Sequence, residues 1–79
     1  MELIDKLRIN NELGLHARAA ARIVELAKQY RSSLFFSKDD WEVDGSSILS
    51  ILTLACPKGT ELEVRVVGED SKELLERIN

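Results

Sequence analysis

The sequence predicts an α+β domain in which seven elements follow the order βαββαβα. Two periodicities lead to this class. Several segments alternate apolar and polar residues, as strands with one buried face do, while others repeat apolar residues every three or four positions, as surface helices do. The chain has 79 residues, of which 44% are hydrophobic. This length and composition suit a single domain over residues 1–79.

The first half of the chain contributes four of these elements. In ELIDKLRI, residues Leu3, Leu7 and Ile9 share one face, which predicts a strand. From Ala17 the period becomes helical and predicts a helix of about fourteen residues. Its apolar stripe is formed by Ala20, Ile23, Val24, Ala27 and Tyr30. Two short strands follow at 34–37 and 41–43, and a Lys-Asp-Asp turn joins them as a hairpin.

The second half supplies a short helix, the clearest strand and a last helix. Ser46 and Ser47 precede the apolar run ILSILTLA, where a hydroxyl can accept hydrogen bonds from the first helical turn. ELEVRVV alternates strictly, and Asp70 and Glu73 then stand at capping-box spacing before a helix of about two turns. Such strands suit an antiparallel sheet with helices on one side. Element order alone leaves a ferredoxin-like sheet and other arrangements open.

Charge and composition exclude several classes of function. The net charge is −3, and no cluster of Lys and Arg could neutralise a run of phosphates, so nucleic acid is not an expected partner. The apolar runs are too short to span a bilayer, and no secretory signal core is present. A lone cysteine and a lone histidine cannot form a disulfide or a zinc site, so no metal or cofactor is expected. We therefore expect a cytoplasmic protein with Cys56 buried in the core.

The histidine, His16, is the main candidate functional residue. It lies between Gly14 and the predicted helix start, with Arg18 on the first turn. Unpaired backbone amides and the helix dipole attract an anion at such a position, most naturally a phosphoryl group. A neutral imidazole is also a nucleophile near physiological pH. The alternative is a solvated or capping histidine without a chemical role.

The motif around His16 resembles a known family. GLHARAA, preceded by Asn11, is similar to the GLHARPA signature of HPr, the histidine-containing phosphocarrier of the bacterial phosphotransferase system. The resemblance continues through GSSILSILTLA, KGTELEV and GED, and so covers nearly the whole chain. It implies an open-faced β-sandwich, with a four-stranded antiparallel sheet covered on one face by three helices.

The resemblance also implies a function. His16 would accept a phosphoryl group at Nδ1 from phospho-enzyme I and pass it to an A-type domain of enzyme II, so the protein would be a carrier and not an enzyme. Arg18 would be the cation of the phosphate site, and the amides of Ala17 and Arg18 would donate to the phosphate. A monomer is expected.

Ser47 matches the regulatory serine of the family. The resemblance therefore leaves open an alternative function, a regulatory adaptor that binds a transcription regulator and is switched by a serine kinase acting on Ser47. A simple N-cap is the competing interpretation of Ser47.

A docking surface is expected on the second helix, because its apolar positions outnumber those that one buried stripe can hide. Leu49 and Leu52 match partner-contact positions of the family. Ala21 is expected beside them, and Arg18 and Lys28 at the rim. For Leu52, burial in the core is the alternative.

The sequence departs from the family pattern at three positions. Ala19 replaces the usual proline, which keeps a backbone donor but loosens the first turn. Ser46 replaces a frequent lysine, which puts recognition by the serine kinase in doubt. Leu13 resembles the nitrogen-related branch more than the sugar-transport branch. The last helix also ends early.

Overall fold

The computed structural model describes residues 1–78 and contains the seven elements in the predicted order. They are β1 (Glu2–Arg8), α1 (Ala17–Ala27), β2 (Ser33–Lys38), β3 (Trp41–Asp44), α2 (Ile48–Leu52), β4 (Glu61–Val67) and α3 (Ser71–Ile78). Asn79, the final residue of the predicted domain, lies outside the described residues. The predicted α+β class and element order are confirmed.

The four strands form one antiparallel sheet in the order β1-β4-β2-β3. In its centre, Phe36 of β2 pairs with Val64 of β4 on one side and Val43 of β3 on the other. These three side chains are buried on the face that the helices cover. The order of the strands resolves the alternatives that element order left open, and it confirms the open-faced sandwich.

The core lies between the inner face of the sheet and the three helices. Its side chains follow the predicted periodicities, every second residue on the strands and every third or fourth on the helices. The largest fully buried apolar residues are Phe36, Ile51, Leu62, Leu74, Val64 and Val66. Cys56 is buried with them, as predicted.

The opposite face of the sheet is open and carries a charged cluster. Arg65 on β4 donates to Glu2 on β1 and Glu42 on β3, and its guanidinium lies 4.3 Å from the centre of the Phe35 ring. The hydrogen bond from Arg65 holds the pKa of Glu42 below its usual value. Surface pairs of this kind stabilise a fold only modestly, so this cluster mainly keeps the open face polar.

Two local predictions need correction. Helix α1 is three residues shorter than expected, because the amides of Gln29 and Tyr30 donate to carbonyls three residues back and close a tight last turn. Tyr30 still packs against the core. At the start of α3, Asp70 does not cap its own helix in the predicted way. Its carboxylate accepts hydrogen bonds from the Arg31 amide at 2.9 Å and the Ser32 hydroxyl at 2.5 Å, which ties α3 to the segment after α1.

Candidate functional site

The loop that leads into α1 is held against the segment after α2. The Leu15 amide donates to the Cys56 carbonyl at 2.7 Å, and Gly14 adopts a φ of +72°. A Cβ atom at position 14 would lie 2.5 Å from the Cys56 carbonyl oxygen and 2.9 Å from Pro57 Cα. Only glycine satisfies both the backbone angle and this approach, so Gly14 fixes the direction in which the chain enters α1.

His16 lies directly before α1, at the predicted helix start, and is the N-cap residue of this helix. Its backbone is extended, with φ −93° and ψ 176°, and its carbonyl accepts the first helical hydrogen bond, from Ala20. The ring Nδ1 accepts from the Arg18 amide at 3.2 Å, so one of the unpaired amides of the first turn points at this nitrogen. The side chain is half-buried, which leaves the ring accessible from solvent.

The second nitrogen of the ring faces Asn11. The Nδ2 atom of Asn11 lies 3.2 Å from Nε2 of His16, and the Oδ1 atom of Asn11 accepts from the Leu13 amide at 3.0 Å. No role for Asn11 is predicted from the sequence. Asparagine side chains commonly accept from the backbone amide two residues further on, so the sequence could have indicated the turn at Asn11. The contact of Asn11 with the His16 ring, five residues away, depends on the folded loop.

His16 lies in an open cleft of about 600 Å³ between the end of β1 and the start of α1. Arg8, Arg18 and Arg22 line this cleft, together with the apolar side chains of Leu13 and Ile23. Within residues 1–78, none of the three guanidinium groups belongs to an ion pair. The amide of Ala17 likewise donates to no acceptor in this part of the chain. Together these donors and charges favour a bound anion at the ring.

Ser47 also caps a helix, α2, and its hydroxyl accepts from the Ser50 amide at 3.3 Å. The preceding turn is acidic. Asp44 accepts from the hydroxyl of Ser46 at 2.7 Å and from its amide at 2.9 Å, and these bonds hold the pKa of Asp44 below its usual value. A carboxylate therefore lies beside the start of α2, whereas arginines lie around the start of α1.

The predicted docking residues fall in different places. Leu49 is 77% exposed, while Leu52 is half-buried and packs against the core. The docking role of both leucines stays a prediction. Ala21 lines a shallow depression between α1 and α3 with Arg77, and its placement beside Leu49 stays a prediction. Lys28 is the C-cap residue of α1, and its Nζ atom lies 3.6 Å from Oε1 of Glu25. It lines a depression shared with Asp44 and Ser46, so it lies nearer to the Ser47 end of the helix pair than to His16.

The Cys56 thiol is the one free thiol among residues 1–78. Burial raises the pKa of the Cys56 thiol, and the charge of Lys38 offsets this only in part, so the thiol is poorly reactive. Residues 1–78 contain no group of three or more His, Cys, Asp or Glu side chains that could hold a metal ion. No helix in the same span has the length and hydropathy to cross a bilayer.

Comparison with known proteins decides the family. The model of the family "PTS HPr component phosphorylation site" matches residues 4–79. The chain belongs to the HPr family. It is 38% identical to the phosphocarrier protein HPr of Neisseria meningitidis over 73 residues. The matched region covers 92% of this chain and 82% of that protein.

Solved structures of HPr proteins share the fold. The phosphocarrier protein HPr from Bacillus anthracis superposes with a TM-score of 0.91 at 30% identity, covering 98% of this chain and 92% of that one. The catabolite repression protein Crh of Bacillus subtilis superposes with a TM-score of 0.78 at 36% identity, covering 94% and 85%, and its crystal structure is a dimer with a swapping domain. The HPr-type fold predicted from the sequence is confirmed.

Proposed function

We propose that this HPr-family protein carries a phosphoryl group on Nδ1 of His16, between phospho-enzyme I and an A-type domain of enzyme II. The observation that carries the proposal is the position of the ring. Nδ1 lies 3.2 Å from the Arg18 amide at the start of α1, in a cleft lined by three arginines. Phosphoenolpyruvate, which charges enzyme I, is an intracellular metabolite, so the proposal includes a cytoplasmic location. The proposal also includes a monomeric carrier.

The transfer uses the lone pair of Nδ1. This nitrogen attacks the phosphorus atom of the donor phosphohistidine, the new P–N bond forms, and the old bond breaks with its electron pair left on the donor ring. The Arg18 amide then donates to a phosphate oxygen instead of Nδ1, and the Ala17 amide donates to another. The guanidinium of Arg18 offsets the charge of the phosphate. The same steps in reverse deliver the group to the acceptor.

Docking of the partners is assigned to α2 and the adjoining face of α1. Leu49 supports this part of the proposal, since it is an exposed leucine on a helix whose other side faces the core. Leu52 and Ala21 extend the surface, and Lys28 contributes a cation at its edge. We expect Leu49→Ala to weaken binding to enzyme I in a titration followed by NMR. Ile4→Ala is the matched control, because Ile4 is 55% exposed on the opposite face of the sheet.

One experiment tests the carrier function. Incubation with enzyme I and phosphoenolpyruvate should add roughly 80 Da, one phosphoryl group, in a form that acid removes. His16→Ala should show no such gain, and Ser47→Ala should show the same gain as the wild type. An unmodified wild-type protein, or an equal gain in His16→Ala, would refute the proposal.

A regulatory adaptor is the second candidate function. It is favoured by the similarity to Crh, the catabolite repression HPr of Bacillus subtilis, and by the N-cap position of Ser47. In this function a serine kinase phosphorylates Ser47, and the modified protein binds a transcription regulator. Titration of a regulator with the unmodified and the phosphoserine form separates the two functions, because a carrier alone shows no dependence on phosphoserine.

A further inference from the structure

We propose that Asn11 is a positioning residue that keeps the phosphorylated His16 ring unprotonated at Nε2 and thereby protects the phosphoryl group from water. This inference rests on the proposed function of His16. It starts from three contacts in one loop, namely the Arg18 amide at Nδ1, Asn11 Nδ2 at Nε2, and the Leu13 amide at Asn11 Oδ1.

The Leu13 contact fixes which end of the Asn11 amide faces the ring. A backbone N–H needs an acceptor, so the atom of Asn11 at 3.0 Å from the Leu13 amide is the carbonyl oxygen. The other end, which lies 3.2 Å from Nε2, is therefore the NH₂ group, a donor. The turn thus determines the polarity of the group that Asn11 presents to His16.

Two donors then compete for one acceptor on the free ring. A neutral imidazole has a lone pair on one nitrogen and a hydrogen on the other. The Arg18 amide needs the lone pair at Nδ1, while Asn11 needs it at Nε2. In either tautomer one N–H faces another N–H, and the unphosphorylated site is only partly satisfied.

Phosphorylation at Nδ1 removes this conflict. The new P–N bond occupies the lone pair of Nδ1, and the Arg18 amide is free to donate to a phosphate oxygen. The hydrogen that the attacking tautomer carries on Nε2 is released to solvent, and the donor ring, which keeps the electron pair of the broken bond, takes up a proton in its place. The remaining lone pair is at Nε2, where Asn11 donates. The loop therefore matches the phosphorylated ring better than the free ring, provided that Nε2 carries no hydrogen.

The state of Nε2 matters for hydrolysis. When water attacks the phosphorus atom, the P–Nδ1 bond breaks and its electron pair stays on the ring. A ring with a hydrogen on Nε2 leaves as neutral imidazole, whereas a ring without one leaves as an anion that must then take a proton from solvent. A donor at Nε2 disfavours the first route and slows the loss of the phosphoryl group.

The charged groups around the ring come from three elements. Arg8 belongs to β1, and Arg18 and Arg22 belong to α1. Glu12 in the loop itself pairs with Lys58 at 2.5 Å. The arginines offset the negative charge of the phosphoryl group and so also disfavour a hydrogen on Nε2, but among residues 1–78 only Asn11 contacts that nitrogen. A substitution at Asn11 therefore isolates its contribution.

Asn11→Asp is the decisive variant. Its carboxylate can still accept from the Leu13 amide, but it presents an acceptor to Nε2 in place of a donor. Asn10→Asp is the matched control, because Asn10 lies one residue away in the same cleft and the substitution adds the same charge. After phosphorylation by enzyme I, the lifetime of the roughly 80 Da adduct is followed by intact mass at neutral pH. We expect Asn11→Asp to shorten this lifetime about fivefold or more relative to Asn10→Asp.

A second measurement uses the unphosphorylated protein. The ¹⁵N chemical shifts of the His16 ring, recorded at about pH 8, should show a mixture of tautomers in the wild type and in Asn10→Asp. Asn11→Asp should shift the hydrogen to Nε2. This result does not depend on phosphorylation, so it remains decisive if the carrier function fails. Equal lifetimes and equal ring shifts in the two Asp variants would overturn the role of Asn11.

Discussion

His16 and Ser47 occupy the same structural position at two different helices, and their surroundings differ in sign. Each is an N-cap whose side chain accepts from a backbone amide of the first turn. Around His16 stand arginines without ion pairs among residues 1–78, whereas Ser47 follows the ionised Asp44. Helix α2 has five residues and α1 has eleven, so α1 also presents the larger dipole.

A helix start does not by itself make a phosphate site. At α1 the loop, the amides and the arginines all favour an anion. At α2 the cap satisfies an amide, and an added phosphate would meet a carboxylate, so this helix start is less suited to a phosphoryl group that is held briefly and passed on.

Gly14→Ala tests the loop that leads into α1. The added Cβ meets backbone atoms of Cys56 and Pro57, and the φ of +72° disfavours any side chain, so we expect a loss of about 3 kcal/mol in unfolding free energy. Gly59→Ala is the control, since its φ is +91° but nothing lies within 4 Å of the added atom. We expect it to cost only about 1 kcal/mol. Chemical denaturation measures both, and equal losses would contradict the close approach at Gly14.

Arg18→Ala tests the cation next to His16. Removing the permanent charge should slow phosphorylation by enzyme I about tenfold, equivalent to ~1.4 kcal/mol in the activation free energy. Arg31→Ala, which removes an exposed arginine that pairs with Glu69 far along the chain, should leave the rate unchanged. Rapid-quench assays of phosphoryl transfer compare the two variants. If both slow the reaction equally, overall charge and not the site is responsible.

Ser47→Ala tests the second helix start. Loss of the hydroxyl that accepts from the Ser50 amide should lower the unfolding free energy by about 1 kcal/mol. Ser47→Asp should restore most of it, because aspartate is also a good N-cap. Neither substitution should abolish phosphorylation of His16. Thermal and chemical denaturation measure the stability of each variant, and the enzyme I assay measures the phosphorylation of His16. A Ser47→Ala protein as stable as the wild type would show that Ser47 does not act as a cap.

Asp70→Asn tests the link between α3 and the segment after α1. Hydrogen bonds from the Ser32 hydroxyl and the Arg31 amide lower the pKa of Asp70 below its usual value of 3.8. A lowered folded pKa gives stability that is complete above this usual value and is lost as the pH falls through the folded pKa. The variant should therefore lose less stability on acidification than the wild type. Ser32→Ala should do the same to a smaller extent. If the unfolding free energy of all three proteins fell by the same amount on acidification, the stabilising role of the Asp70 hydrogen bonds would be contradicted.

Much of the fold could be predicted from local patterns. The alternation of Leu62, Val64 and Val66 and the helical stripe of Ala20, Val24 and Ala27 correspond to buried faces in the structure. These patterns succeed because burial imposes them residue by residue. The role of Asp70 could not be predicted, because its hydrogen bonds to Arg31 and Ser32 form only after distant segments meet. The end of α1 could not be predicted either, because the apolar pattern does not distinguish an α-helical last turn from the tighter turn that forms.

The candidate site was predictable in part for the same reason. His16, Gly14 and Arg18 lie in one short motif, so their proximity follows from the chain itself. The hydrogen bond from the Leu15 amide to the Cys56 carbonyl joins residues about 40 positions apart, and the contact of Asn11 with Nε2 of His16 needs a particular turn. Neither the positive cleft nor the acidic turn before Ser47 can be inferred from the net charge of −3.

NMR of the ¹⁵N-labelled protein after phosphorylation by enzyme I tests the central claim most directly. We predict a phosphorus coupling to Nδ1 of His16 and a change at the Arg18 amide that exceeds any change at the Ser50 amide. A phosphorus atom bonded to Nε2, or a phosphorylated protein whose Arg18 amide is unchanged, would contradict the proposed site.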